Sequence, residues 1–219
     1  MLDMIELNKK YLLICEGRDC LRFLTSYFSF LAEQGDVRFK NCIQLHNMGG
    51  NSELSNALQA IRSAAGFENI HSLLIIRDAE MDAQAALQSV QSTLAKLNLP
   101  VPMTAGVWEG NQEIKVAYLL FPECSKRVQK GTLEDLCIDI LNLSQISNTD
   151  IQLVKEWMNK LSVEYGKQWS HAHKSKLYLC FSINNQFVGK KLGEAADAHA
   201  FDWNSGRLKS LKDCIEQGF

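Results

Sequence analysis

Proline is scarce in this 219-residue chain, with 3 in all, and glycine is modest at 13, so a low-complexity linker protein is excluded. No run of eighteen apolar residues occurs, which predicts no membrane span and no membrane partner. The start, MLDMIELNKK, has acids where a secretion signal wants a basic end and an apolar centre, so a cytoplasmic protein is expected. The cysteines, at 15, 20, 42, 124, 137, 180 and 214, are odd in number and lack any CxxC pair. That pattern is neither a disulfide framework nor a zinc ribbon, and most of these thiols sit among apolar neighbours, where a buried reduced thiol is usual. No GxxxxGK[ST] and no GxSxG is present, so neither a P-loop ATPase nor a serine hydrolase of that kind has support. What the chain does have is 46% hydrophobic and 22% charged residues, ordinary for a globular domain and unlike a disordered chain, a collagen or a coiled coil.

The apolar residues come in two rhythms. Tyr11–Cys15, Cys42–Leu45 and Ser72–Ile76 are short, nearly continuous apolar runs, each predicting a buried strand. Helical spacing follows each of them. Leu21, Leu24, Phe28 and Leu31 mark a helix over 19–34, with Asp19 as its cap. Leu54, Leu58, Ile61 and Ala65 mark a second, capped by Asn51 or Ser52 and ended by Gly66. Ala86, Val90, Leu94 and Leu97 mark a third over 82–97. Residues 103–107 and 114–121 read as two further strands, a hairpin around Glu109-Gly110-Asn111. Such alternation predicts an α/β fold: a mostly parallel sheet flanked by helices. Beyond Pro122 the pattern turns helical at 132–142, 149–165, 170–184 and 206–216, although LYLCFSI at 177–183 also reads as a strand. A core over 1–145 and a C-terminal helical extension over 146–219 are expected, the extension either separate or packed on the core.

Charge distribution is more informative than its total of −2. Within 155–191 stand lysines 155, 160, 167, 174, 176, 190 and 191 against only Glu156 and Glu164. Such a surplus can meet phosphates or simply form a solvated helix face. Acids gather where functional groups of an open α/β sheet belong, just past the strands. Glu16 follows the first strand; Asp78, Glu80 and Asp82 follow the third. Residues two apart in an extended segment point the same way, so Asp78 and Glu80 can face one site. Paired carboxylates at that reach are costly without a cation, and oxygen ligands of this kind suit Mg²⁺ or Mn²⁺. Asp82 serves equally well as a helix cap. Gly49-Gly50 can bring backbone N–H groups to a phosphate or make the turn into a helix.

Three stretches together, LLICEGRDC (12–20), LHNMGG (45–50) and LLIIRDAEMD (73–82), resemble the Toprim domains of topoisomerases, bacterial primases, recombination-repair proteins and the overcoming-lysogenization-defect (OLD) nucleases. KGTLEDL (130–136), HKSKLYLCFS (173–182) and LGEAADAHAFDWNS (192–205) look like segments of the OLD-type nucleases and of small Toprim-like proteins related to them. The resemblance implies a Toprim-like core and divalent-metal-dependent phosphodiester hydrolysis on nucleic acid. Glu16 would be the general acid/base or a metal ligand; Asp78 and Glu80, with Asp82 beside them, would hold Mg²⁺ or Mn²⁺. Glu134 with Asp135 would support a second ion, Lys174 or Lys176 would neutralise charge on the phosphate, and Gly17, Gly49 and Gly50 would border it. Partners implied are nucleic acid, with a homodimer or a partner ATPase. The chain departs from the family in having Glu80 where the second acid of Asp-x-Asp is expected, and in lacking the ATPase half of the OLD nucleases. A catalytically degenerate module binding nucleic acid or a protein is the alternative, which Glu80 favours. A receiver-like signalling domain is disfavoured, because the first strand ends in a single acid, Glu16-Gly17, and LLFPEC (119–124) brings no lysine.

Overall fold

The computed structural model describes residues 6–50, 53–110 and 113–219. The apolar runs become parallel strands of one sheet, those at 11–15 and 72–76 inside it and the one at 42–45 at its edge. Its strands are β1 (Tyr11–Cys15), β2 (Ile43–Asn47), β3 (Ser72–Asp78), β4 (Glu109–Gly110) and β5 (Lys115–Phe121), in spatial order β2-β1-β3-β5-β4. The first four positions of that order are parallel, and only β4 runs antiparallel, against Val116 and Lys115. Every residue of β1 is buried, as a strand covered on both faces requires.

Alternate residues of the strands feed two layers. Leu12, Ile14, Leu73, Ile75, Val116 and Tyr118 face α3 (Leu54–Arg62) and α4 (Ala83–Lys96). Tyr11, Leu13, Cys15, Leu74, Ile76 and Leu119 face the opposite layer. That layer contains α1 (Gly17–Glu33), the short α2 (Arg38–Asn41), α5 (Leu133–Asp139), α6 (Asn148–Tyr165), α7 (Ala172–Ser182), α8 (Leu192–Asp197) and α9 (Lys209–Glu216). Residues beyond 146 therefore share one hydrophobic cluster with β1 and α1. Phe23 of α1 meets the rings of Phe201 and Trp203 at 5.7 and 5.1 Å, and Arg22 pairs with Asp197 at 2.6 Å. Each large apolar side chain buried there contributes roughly 1.5–3 kcal/mol, so the extension is part of the core's stability.

Several expectations are corrected. The first helix starts at Gly17, leaving Glu16 at the cap position, and Asp19 instead accepts the Gly193 N–H at 3.3 Å. The expected caps Asn51 and Ser52 lie outside the described residues, as does Asn111 of the hairpin. Residues 103–107 do not form a strand: Gly106 turns at φ 70° and only its N–H reaches β5, at the Tyr118 carbonyl. The helix expected over 170–184 forms as α7 and not as a strand, because Leu177, Cys180 and Phe181 bury one face at helical spacing. Among the described residues no helix is long and apolar enough to cross a membrane.

Candidate acidic active site

All parallel strands end at one edge of the sheet, and the acids gather there. The Glu16 N–H continues the ladder to the Ile76 carbonyl, while the Gly17 N–H donates to Gly49 O at 3.0 Å. The two loops after β1 and β2 are thus clasped together, through glycines at φ 82° and 85° that a side chain would strain. Next in the sheet, Asp78 closes β3 and its Oδ1 accepts the Leu133 N–H, the first of α5, at 2.8 Å. Glu80 adopts a left-handed φ of 54°, held by two hydrogen bonds with Gly131: N–H to O at 2.8 Å and the return bond at 2.7 Å. That bridge carries the loop before α5 to the end of β3, which places Glu134 beside Asp78.

Four carboxylates, Glu16, Asp78, Glu80 and Glu134, consequently act on one another. Burial pushes Asp78 up to about 8, with Glu134, Glu16 and Glu80 adding to the rise against the restraining Leu133 N–H. Burial also raises Glu16, opposed by Arg77, the Asp78 amide and Lys174, and reinforced by Glu80. Glu16 Oε2 is buried without a hydrogen-bond partner and stands 3.9 Å from Arg77 Nε, whose side chain is only 2% exposed. Lys174 Nζ lies 3.7 Å from the buried Glu134, and Lys176 Nζ 3.9 Å from Asp135. Both candidate lysines therefore reach the site's border from α7.

The remaining acids serve the backbone. Asp82 accepts the Ala85 N–H at 3.0 Å and caps α4, the simpler of its two expected roles. Asp135 closes a capping box with Thr132, its Oδ2 accepting the Thr132 N–H at 3.0 Å. Gly50 has open space around its Cα, and Gly49 donates its N–H to Asn47 Oδ1 at 2.9 Å. His171 and His173 touch only as rings 6.1 Å apart, and Trp157 and Trp169 pack on each other at 6.4 Å.

A divalent cation fits these residues by donor chemistry: hard carboxylate oxygens, one of them buried without a hydrogen bond, in mutual repulsion. Among the described residues, however, no three of His, Cys, Asp or Glu stand in metal-holding geometry as they are. Sequence reasoning missed Arg77 as a site residue. Its signal was a charge placed directly after the apolar run LLII and before the terminal acid of the strand, in LLIIRD. A cavity of about 570 Å³ lined by Lys10, Tyr11, His71 and Ser72 opens at the opposite edge of the sheet, where the strands begin, and takes no part in this cluster.

Residues 10–219 match the model of a family described as protein of unknown function (DUF3226), and the chain belongs to that family. The match runs through the sheet and the C-terminal helices alike. No curated protein and no solved structure matches the chain.

Proposed function

We propose that this chain is a Toprim-like, divalent-metal-dependent phosphodiesterase acting on nucleic acid. The observation that carries the reading is the convergence of Glu16, Asp78, Glu80 and Glu134 at the carboxyl edge of the sheet, with Asp78 driven to about 8 by burial and by its acidic neighbours. Structural acids are normally neutralised by cations or helix ends. Here Asp82 and Asp135 are absorbed in helix caps, whereas Arg77, the Leu133 N–H and Lys174 stand beside Glu16, Asp78 and Glu134 without offsetting the burial and acidic neighbours that raise Asp78 and Glu16.

Asp78, Glu80 and Glu134 would hold Mg²⁺ or Mn²⁺ after side-chain rotation brings their oxygens together. The ion, when bound, would supply positive charge to a phosphoryl group and acidity to a water. Glu16 is suited to move a proton at Oε2, since burial raises it above the ordinary carboxylate value while the Arg77 guanidinium opposes the rise. Lys174, exposed beside Glu134, would offset charge developing on the phosphate. Gly17 and Gly49 leave backbone without side chains next to Glu16.

A second reading, a degenerate module that binds nucleic acid without cutting it, is favoured by one observation: no three acids are metal-ready as placed. Cleavage of labelled single-stranded DNA, duplex DNA and RNA with Mg²⁺, Mn²⁺ or EDTA separates the two. Metal-dependent cutting, lost in Asp78→Asn and Glu16→Gln proteins of unchanged fold, is the expected result. Unchanged cutting by Asp78→Asn rejects the metal role, and no cutting by folded, Mn²⁺-saturated protein selects the binding module.

A further inference from the structure

Beside the acids a cleft of about 430 Å³ opens between the β3–α4 turn, the loop before α5, and helices α6 and α7. Glu80 belongs to both places: its carboxylate influences Asp78 and Glu16, and it lines the cleft. The other polar walls carry three lysines against one further acid, Asp135, with Thr132 and a histidine beside them. Lys130 comes from the loop before α5, Lys155 from α6, and His173 and Lys176 from α7. Lys176 has a partner in Asp135 at 3.9 Å. Lys130 and Lys155 have no ion pair among the described residues, and both are exposed. A solvated helix face spreads its lysines over one element, whereas these converge on one cleft from three.

Convergent like charges repel, and a cleft between low-dielectric walls focuses their field. An anion in the cleft relieves that repulsion. Met81, 79% exposed at the same cleft, adds an apolar contact of the kind a sugar or base edge takes. A volume of this order holds one ligand-sized unit and not a duplex rod.

We propose that this cleft seats the nucleotide next to the scissile one, Lys130 and Lys155 contacting its phosphate, so that the ligand is a single-stranded polynucleotide. The inference rests on the reading that the acids receive the neighbouring phosphodiester. It goes further in requiring a second phosphate along one strand, which a mononucleotide or a simple diester lacks.

The test is fluorescence anisotropy of a short end-labelled single-stranded DNA with the full chain in EDTA, across a salt series, so that binding is read without turnover. Wild type should bind the single strand more tightly than the matching duplex. Lys130→Ala and Lys155→Ala should each weaken binding several-fold and flatten the salt dependence by about 0.7 in log–log slope, as loss of one single-strand phosphate contact does. Lys160→Ala, on the same helix and paired with Glu164 at 3.9 Å, should change neither. Equal slopes and affinities for wild type and the Lys130→Ala/Lys155→Ala double variant overturn the proposal, as does tighter binding of duplex.

Hydrolysis of bis(p-nitrophenyl) phosphate with Mn²⁺ is read in parallel. Retained hydrolysis alongside unaltered strand binding in the double variant refutes the cleft and spares the phosphodiesterase. Strand binding that depends on the two lysines, with no metal-dependent hydrolysis by wild type, supports the cleft and refutes the phosphodiesterase.

Discussion

Asp78 Oδ1 accepts the backbone N–H of Leu133 at 2.8 Å, joining the last residue of β3 to the first residue of α5. A helix start presents free N–H groups that stabilise an ionised carboxylate. At Asp78 this help is outweighed: burial and the charges of Glu134, Glu16 and Glu80 carry it from an ordinary 3.8 to about 8. The same bond that fixes the side chain thus holds it where its charge is disfavoured, a tension that ligand binding can relieve.

Stability should therefore fall with rising pH. The folded Asp78 keeps its proton between pH 3.8 and about 8, whereas the unfolded chain has released it. The folded state binds more protons across that window, so unfolding free energy decreases as pH rises through it and levels off above about 8. Glu16, also raised, adds in the same direction. Asp78→Asn retains the Leu133 acceptor and removes the charge, so its thermal midpoint in EDTA should exceed that of wild type at pH 9 and approach it near pH 4. Parallel midpoint-against-pH curves for the two proteins would contradict the assignment.

Mn²⁺ affinity should rise over the same window, because a ligand carboxylate must lose its proton to bind. Calorimetric titration at pH 6 and pH 8.5 is expected to show tighter binding at the higher value, and Asp78→Asn should abolish the difference. Stripping the metal with EDTA should return the wild-type melting midpoint to its lower, unliganded value.

Arg77 supplies the compensating charge for Glu16, and with 2% of its side chain exposed it has almost no water to fall back on. Arg77→Ala leaves a buried acid less compensated and a cavity behind it, at an expected cost of about 3 kcal/mol in urea unfolding. Arg77→Met preserves more volume. It should lose less stability yet raise Glu16 further, moving the pH–rate limb that reports Glu16 upward.

Much of this arrangement is legible in the sequence because it depends on local rhythm. Short apolar runs such as YLLIC and LLII, each followed by a helix-spaced stretch, read as strands buried on both faces, and the acids after them fall at the functional edge by topology alone. The roles within the acidic set are less legible. Asp78 and Asp82 look alike in sequence, but the first residue of α5, fifty-five positions away from Asp78, separates them. The Thr132–Asp135 spacing is that of a capping box, which the nearby Glu134 disguised as part of a ligand pair. Of the lysine cleft, only Lys155 and Lys176 show in the sequence, as part of the surplus over 155–191; nothing local says that they share a wall with Lys130.

The C-terminal helices should unfold together with the sheet. Phe201 is 2% exposed and its ring touches Phe23 of α1, Phe181 of α7 and Trp203. Phe201→Ala should cost about 3–5 kcal/mol and shift a single transition seen both by tryptophan fluorescence and by far-ultraviolet dichroism. Two separated transitions in wild type would instead make 146–219 an independent unit.

Glu80 and Gly131 should respond to substitution with opposite signs, although they share one two-bond bridge. Gly131 has φ 138°, and a Cβ there would come within 2.9 Å of Asp135 Oδ2 and 3.0 Å of Pro122 Cδ. Gly131→Ala is thus strained in backbone and space, and should lose about 1–3 kcal/mol while loosening the support of Glu80. Glu80 itself holds a left-handed φ of 54°, and its charge adds to the rise of Asp78 and Glu16. Glu80→Asn suits that backbone better and removes a repulsive charge, so it should gain up to about 1 kcal/mol. A residue kept at a cost to the fold is what a working site needs, so the same variant should lose metal-dependent cleavage. Equal cleavage by Glu80→Asn and wild type would make Glu80 a structural residue and leave Asp78, Glu16 and Glu134 to carry the site.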